Sequence, residues 1–83
     1  MKTYMTDGGL GYNEYAILVR LDKTENEYNY LVIDRYIRND DQYQIGSVVE
    51  DLEDIYVSES SYKLSDSPLH GTFLFNYFIN NYK

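Results

Sequence analysis

Few side chains in this sequence have the chemistry of a nucleophile, a general base or a metal ligand. The chain contains no Cys and one His, His70. A lone imidazole with no nucleophile nearby is far more often a surface or packing residue than a general base. The sequence carries no phosphate-binding, zinc-protease or calcium-loop motif. It therefore predicts a protein that is not an enzyme and that needs no cofactor.

Two other groups of residues have the composition of a ligand site without its spacing. Residues 7–11, DGGLG, are as rich in glycine as a phosphate loop, but they precede a predicted strand instead of joining a strand to a helix. We expect a flexible turn there. The carboxylates of Asp40, Asp41, Glu50 and Asp51 lack the regular spacing of a calcium loop, so at most a weak, non-specific cation site is expected.

Acidic side chains are concentrated in one segment of the chain. No Lys or Arg lies between Arg38 and Lys63, and this segment accounts for the whole net charge of −7. Tyr beside a charged patch is a frequent anchor of protein interfaces. We therefore expect the segment to contact a partner through seven carboxylates and three tyrosines: Asp40, Asp41, Glu50, Asp51, Glu53, Asp54, Glu59, Tyr43, Tyr56 and Tyr62. The alternative is a solvated face with tyrosines packed at the edge of the core.

Alternating apolar residues predict the strands that position these groups. Tyr15 to Leu21 has the period of a half-buried strand, and Tyr28 to Arg38 resumes it after a break. The two segments predict a hairpin with a five-residue loop at 23–27. A short third strand is expected at 42–45, and a further strand is compatible with 57–64.

The period changes at Ser47, where the sequence predicts a helix. Ser47 and Glu50 have the spacing of a capping box. On a helix the apolar residues Val48, Val49, Leu52, Ile55 and Tyr56 share one face. The opposite face presents carboxylates about 5 to 6 Å apart, close to the separation of phosphates along a nucleic-acid strand: Glu50, Asp51, Glu53 and Asp54.

A second helix is predicted from Pro68 to about Tyr82. Ser67 is a suitable capping residue before a proline at the first helical position, and Leu69, Phe73, Tyr77 and Phe78 recur at helical spacing. A strand is the competing interpretation, because the segment 72–75 has high β propensity and Gly71 weakens a helix.

These elements predict an α+β fold: a small antiparallel sheet of three to four strands with one or two helices packed on one face. Residues 1–11 are expected to form a flexible lead-in and residues 12–83 a single domain. The first residues lack the apolar run of a signal peptide, and no stretch approaches the roughly 18 apolar residues of a membrane span. A cytoplasmic protein of a bacterial host is expected.

Two functions follow from this inventory. In small size, strong acidity and lack of catalytic groups, the chain is similar in composition to phage- or plasmid-encoded anti-restriction and anti-CRISPR proteins. That resemblance implies a nucleic-acid mimic that blocks the basic cleft of a nuclease or another DNA-handling protein, and it carries over no individual residues. The alternative is an adaptor or regulatory domain that binds through a sheet edge, at the strand Tyr28 to Arg38, or through an apolar patch. Direct nucleic-acid binding is disfavoured because phosphates repel the net charge.

Overall fold

A computed structural model describes residues 2–7, 15–24, 27–36, 43–50 and 56–81, with the backbone alone at 7, 22–24, 27 and 56. Five strands form one antiparallel sheet: β1 (Thr3–Asp7), β2 (Tyr15–Thr24), β3 (Glu27–Tyr36), β4 (Val48–Glu50) and β5 (Tyr56–Ser60). Their order in the sheet is β4-β3-β2-β1-β5. A 3-10 turn (Leu64–Asp66) and a helix, α1 (Phe73–Asn81), follow β5. The α+β class is confirmed, but the sheet has five strands rather than three to four.

The hairpin of β2 and β3 is the centre of the fold. It confirms that the segments beginning at Tyr15 and near Tyr28 are strands. Residues 16–19 and 30–33 are buried on both faces of the sheet, which explains why apolar residues occupy consecutive positions there. The predicted five-residue loop is wrong, because Lys23 pairs with Tyr28 and Thr24 pairs with Glu27. Backbone pairing continues beyond the core here, since ladder hydrogen bonds do not require apolar side chains.

A bulge in β3 directs two consecutive side chains to one face. Ile17 pairs with Asp34 and Leu18 pairs with Val32, so Ile33 is an extra residue. Ile33 packs in the same cluster as Ile17, and the Asp34 carboxylate accepts a hydrogen bond from Tyr62 of that cluster. The bulge therefore places a carboxylate beside the covered face of the sheet.

Residues 3–7 form a strand in the interior of the sheet, although the sequence predicts a flexible lead-in there. β1 pairs with β2 on one side and with β5 on the other. Its two buried threonines are satisfied by hydrogen bonds: the Thr6 hydroxyl accepts from the Ala16 N–H at 2.9 Å, and the Thr3 hydroxyl donates to the Tyr62 carbonyl at 2.9 Å. Polar residues conceal this strand in the sequence, although Thr is a good strand former.

The predicted helix beginning at Ser47 is wrong for the residues that the structure describes. Val48 and Val49 lie in β4, paired with Leu31 and Tyr30 of β3, and Tyr56 opens β5. The Ser47 hydroxyl donates to the Gln44 carbonyl at 2.6 Å instead of capping a helix. Two β-branched residues beside an unpaired strand favour pairing over a helical turn. Residues 51–55 lie outside the described part of the chain.

The remaining predictions are confirmed in part. Residues 43–46 form a turn instead of a strand, and Gly46 has a φ of 92°, which glycine adopts without strain. β5 ends at Ser60, before the predicted limit at Leu64. The closing helix exists and the strand alternative is wrong, but α1 begins at Phe73 because Thr72 caps it: the Thr72 hydroxyl accepts from the Phe75 N–H at 3.2 Å.

Candidate protein-binding surface

Helix α1 covers one face of the sheet with only part of its circumference. Phe75 is buried, and Phe78 and Ile79 pack beside it against the cluster formed by Ile17, Val19, Leu31 and Ile33. The hydroxyl of Ser67 donates to the Ile33 carbonyl at 2.6 Å and fixes the turn that leads into the helix. This arrangement orients α1 and leaves its opposite side facing outward.

Large apolar side chains line the outward side of α1. Phe73 is 94% exposed, Tyr77 is 55% exposed and Leu74 is 42% exposed. The spacing of Phe73, Tyr77 and Asn80 places them along one helix face. With Asn76 and Asn81 they line a shallow groove of about 410 Å³. An almost fully exposed Phe contributes little to the stability of the core.

The exposed apolar surface continues from α1 towards the β4 edge of the sheet. A Cβ placed on Gly46 would lie 3.2 Å from Leu74 Cδ2, so the turn at 43–46 lies directly beside the helix. Ile45 in this turn and Val48 in β4 are also exposed. Val48 pairs with Leu31, and paired residues share a face, which puts Val48 on the helix side of the sheet. We name these five residues the α1 patch: Ile45, Val48, Phe73, Leu74 and Tyr77.

The helix and the turn before it carry no formal charge. No Asp, Glu, Lys or Arg occurs from Ser67 to Tyr82, although charged residues make up 25% of the chain. Depletion of charge with enrichment of aromatics is typical of the core of a protein interface. The same run contains the aromatic residues Phe73, Phe75, Tyr77 and Phe78. In retrospect, several aromatic residues in a run without charge are the sequence signal that indicates the α1 patch.

The two described acidic residues of the predicted site lie at opposite edges of the sheet. Glu50 is in β4 and Glu59 in β5, which are the two edge strands. Four strand spacings separate them, or about 19 Å. Glu59 forms an ion pair with Lys2 at 2.8 Å. The hydrogen bond between them lowers the pKa of Glu59 and raises that of Lys2, and the opposite charges add to both effects. The other predicted acids, Asp40, Asp41, Asp51, Glu53 and Asp54, lie outside the described residues.

The three predicted tyrosines occupy different environments. Tyr43 is in the core at 1% exposure, so its ring is not available to a partner, and its carbonyl accepts from the Arg35 guanidinium at 3.2 Å. Tyr62 is partly buried and donates its hydroxyl to Asp34; burial, followed by this hydrogen bond, raises the pKa of Tyr62 well above its ordinary value. The side chain of Tyr56 lies outside the described ones. Tyr43 and Tyr62 thus pack at the core.

A second cluster, on the other face of the sheet, was not indicated by the sequence. The Arg20 guanidinium lies between the rings of Tyr4 and Tyr28, at 4.3 Å and 4.1 Å from their centroids, and it donates to the Tyr30 hydroxyl at 3.2 Å. Its Nε is buried without an acceptor among the described residues. Stacking on aromatic faces stabilises a guanidinium in this position. The cluster ties β1, β2 and β3 together.

The lone histidine and the acidic residues that the structure describes do not form a metal-ligand cluster. His70 is exposed, with its ring 6.3 Å from that of Phe75. No group of three or more His, Asp or Glu residues able to hold a metal ion occurs within the described ranges. Asp7 ends β1, and the rest of the glycine-rich segment, residues 8–11, lies outside them. No helix in the described part has the length and apolar character to cross a membrane.

Comparison with known proteins gives no relative: no family model, no curated protein and no solved structure matches the chain. The fold and the surface therefore define its class. It is an α+β domain whose antiparallel sheet is covered on one face by a capped helix, and this helix presents an exposed aromatic surface without charge.

Proposed function

We propose that this protein is a non-catalytic protein-binding domain and that its α1 patch docks a protein partner. The observation that carries the proposal is the exposure of Phe73, at 94%, on a helix that is otherwise firmly seated. Burying such a side chain fully is worth about 1.5 to 3 kcal/mol, and exposed aromatics are the residues that most often dominate binding energy.

The surroundings of Phe73 favour docking. The helix is fixed by the Thr72 cap and by the Ser67 bond to β3, so a partner would meet a preformed surface with little ordering cost. Asn76 and Asn80 flank the aromatic rings and supply polar groups for the rim. This is the apolar-patch form of an adaptor or regulatory domain. At residues 29–31 the strand β3 is not an edge for strand addition, since it pairs with β2 on one side and with β4 on the other.

A matched pair of variants tests the α1 patch. Phe73→Ser removes the exposed ring, while Tyr36→Ser removes a half-exposed ring elsewhere, where Tyr36 stacks on Tyr15 at 5.8 Å. A protein captured by the natural chain should then be purified and its affinity measured directly. We expect Phe73→Ser to weaken binding by at least tenfold, or about 1.4 kcal/mol, and Tyr36→Ser to leave it unchanged. Equal affinities for both variants would refute the proposal.

The charge distribution supports a second candidate, a nucleic-acid mimic of the anti-restriction or anti-CRISPR type acting in a bacterial cytoplasm. The segment between Arg38 and Lys63 holds seven carboxylates and no base, which suits the basic groove of a nuclease or another DNA-handling protein. Glu50 and Glu59, both exposed, belong to this segment. Binding of this kind should weaken steeply as salt rises.

Neutralisation of the acidic segment distinguishes the two candidates. The quadruple variant Glu50→Gln, Asp51→Asn, Glu53→Gln, Asp54→Asn should lose a partner held by mimicry and keep a partner held by the α1 patch. Titration of the purified partner at low and high salt gives the second readout. A folded quadruple variant with unchanged affinity would exclude the mimic.

A further inference from the structure

We infer that the α1 patch binds a second copy of this chain, so that two protomers pair through antiparallel α1 helices. This inference rests on the proposed docking role of the patch and names its occupant. It is drawn from the charge of the chain, the symmetry of the residues on the helix and the area that they offer.

Charge favours self-association at this surface over any other described one. Each copy carries a net charge of −7, so two copies repel each other wherever their acidic surfaces approach. Residues 67–82 hold no charged side chain, and α1 lies within this run. A face-to-face contact of two α1 helices therefore brings uncharged residues together. Ile45 and Val48 of the α1 patch belong to the segment between Arg38 and Lys63, and the exposed Glu50 follows Val48 in β4 at the border of the patch. A basic partner, by contrast, would gain nothing from an uncharged surface.

The residues along the outward face of α1 suit a two-fold axis. Tyr77 is the midpoint of the nine-residue helix Phe73–Asn81. A two-fold axis through Tyr77 places the protruding Phe73 of one copy opposite Asn80 and the groove of the other, and the reverse contact is generated by symmetry. Asn side chains both donate and accept hydrogen bonds, so they are self-complementary across such an axis.

The available area predicts a weak dimer. The helix is about 13 Å long. Its exposed Phe73 and Tyr77 rings offer roughly 300 Å² per copy, and Leu74, Ile45 and Val48 extend the surface. This is below the roughly 800 Å² per partner of a standard interface. We therefore expect a dissociation constant on the order of 10 to 100 μM.

Sedimentation equilibrium over about 1 to 500 μM measures the association. The key variant is Phe73→Asp, which puts a charge within the uncharged surface. It should fold, because the side chain is 94% exposed and an acid in the first helical turn is favourable. We expect it to weaken dimerisation by at least about tenfold, while the control Tyr36→Asp leaves the association unchanged. Salt should strengthen the dimer severalfold by screening the repulsion of two acidic chains, the opposite of the response of a mimic.

Orientation is tested by charge complementation and by cross-linking. Phe73→Asp should bind Asn80→Lys about 3- to 10-fold more tightly than it binds the natural chain, because antiparallel pairing brings the two positions together. The chain contains no Cys, so a Tyr77→Cys variant should be joined by a short bismaleimide and a Tyr36→Cys variant should not.

Three results would overturn the inference: a monomer at every concentration, equal association of Phe73→Asp and Tyr36→Asp, or cross-linking of both cysteine variants alike. The proposed function fails separately. If the chain is a monomer and Phe73→Ser no longer captures the partner, self-association is excluded and a different protein remains the partner of the α1 patch. If the chain dimerises and Phe73→Ser captures other proteins as well as the natural chain does, only the heterologous partner is excluded.

Discussion

Tyr62 donates its hydroxyl hydrogen to the Asp34 carboxylate at 2.5 Å, and this bond joins the segment after β5 to the bulge of β3. The two residues are 28 positions apart in sequence. The bond fixes the chain as it crosses from the edge of the sheet to the face that α1 covers, and it supplies a partner for a carboxylate held beside apolar side chains.

Removal of the hydroxyl should destabilise the fold. Tyr62→Phe keeps the ring in the cluster with Ile33 but leaves the Asp34 carboxylate without this donor. A lost hydrogen bond to a charged, partly buried group costs about 1 to 3 kcal/mol. Urea denaturation followed by circular dichroism measures the change. Tyr36→Phe, at an exposed stacked ring, serves as the control and should retain the midpoint of the natural chain.

The same tyrosine predicts a pH dependence. Burial, then the hydrogen bond to Asp34, raises the pKa of Tyr62 above its ordinary value of 10.0. The folded state therefore holds the proton more tightly than the unfolded state, and the resulting stability is fully present below pH 10. As the pH rises above that value this contribution is lost progressively. We expect the free energy of unfolding to fall more steeply above that pH in the natural chain than in Tyr62→Phe, and parallel curves would contradict the assignment.

Two glycines with positive φ differ in the space around them and form a matched test. Gly46 (φ 92°) has Leu74 Cδ2 3.2 Å from the position of an added Cβ, whereas Gly71 (φ 77°) has nothing within 4 Å. Substitution of either by Ala strains the backbone by about 1 to 2 kcal/mol. Gly46→Ala must also displace Leu74, so thermal melts should show the larger loss there. A larger loss for Gly71→Ala would contradict the packing of α1 beside this turn.

The cap of α1 should be worth a measurable amount of stability. Thr72→Ala removes the acceptor of the Phe75 N–H and should cost about 1 kcal/mol. Thr72→Ser keeps the hydroxyl and should restore most of the loss. Helical circular dichroism and urea midpoints report both variants, and equal destabilisation by Ala and Ser would assign the effect to the lost methyl group instead of the cap.

The Arg20 cluster should stabilise the opposite face of the sheet. Arg20→Ala removes the contacts with Tyr4 and Tyr28 and the bond to Tyr30, and about 1 to 3 kcal/mol should be lost. Arg20→Lys should recover only part of this, because an ammonium does not stack as a guanidinium does. Lys2→Ala, in a fully exposed ion pair, should leave the urea midpoint unchanged and separates loss of stacking from loss of a positive charge.

The parts of the fold that could be predicted are those with a local signal. Within β2 and β3, apolar residues alternate or run consecutively over most of each strand, and α1 has helical spacing. β4 could not be predicted, because Ser47 to Glu50 satisfies the pattern of a helix start. Its three residues become a strand only through pairing with residues 29–31, a contact that no local pattern encodes. β1 could not be predicted for a related reason. Its threonines can be buried only because their hydroxyls form hydrogen bonds with β2 and with the segment 60–62, which are distant in sequence.

The sequence did not indicate where an exposed apolar surface would lie. Charge counting pointed to the segment between Arg38 and Lys63, whereas the exposed apolar surface lies mainly on α1. The packing of α1 on the sheet decides which of its aromatic side chains is buried. The sequence does not show that Phe75 faces the sheet while Phe73 faces outward. Likewise, Tyr43 was expected beside charge and lies in the core.

The place of β1 between β2 and β5 has a consequence for how the chain is made. β2 and β3 are neighbours in sequence and can close as soon as both have emerged from the ribosome, but Thr3 pairs with Ser60, 57 residues away. A contact of such long range closes late, because the intervening loop must first lose its entropy. During synthesis, β1 can pair with β2 while its other edge stays open until β5 has been translated. The sheet is therefore completed by joining an early strand to a late one, so premature termination before β5 leaves an unsealed edge open to aggregation.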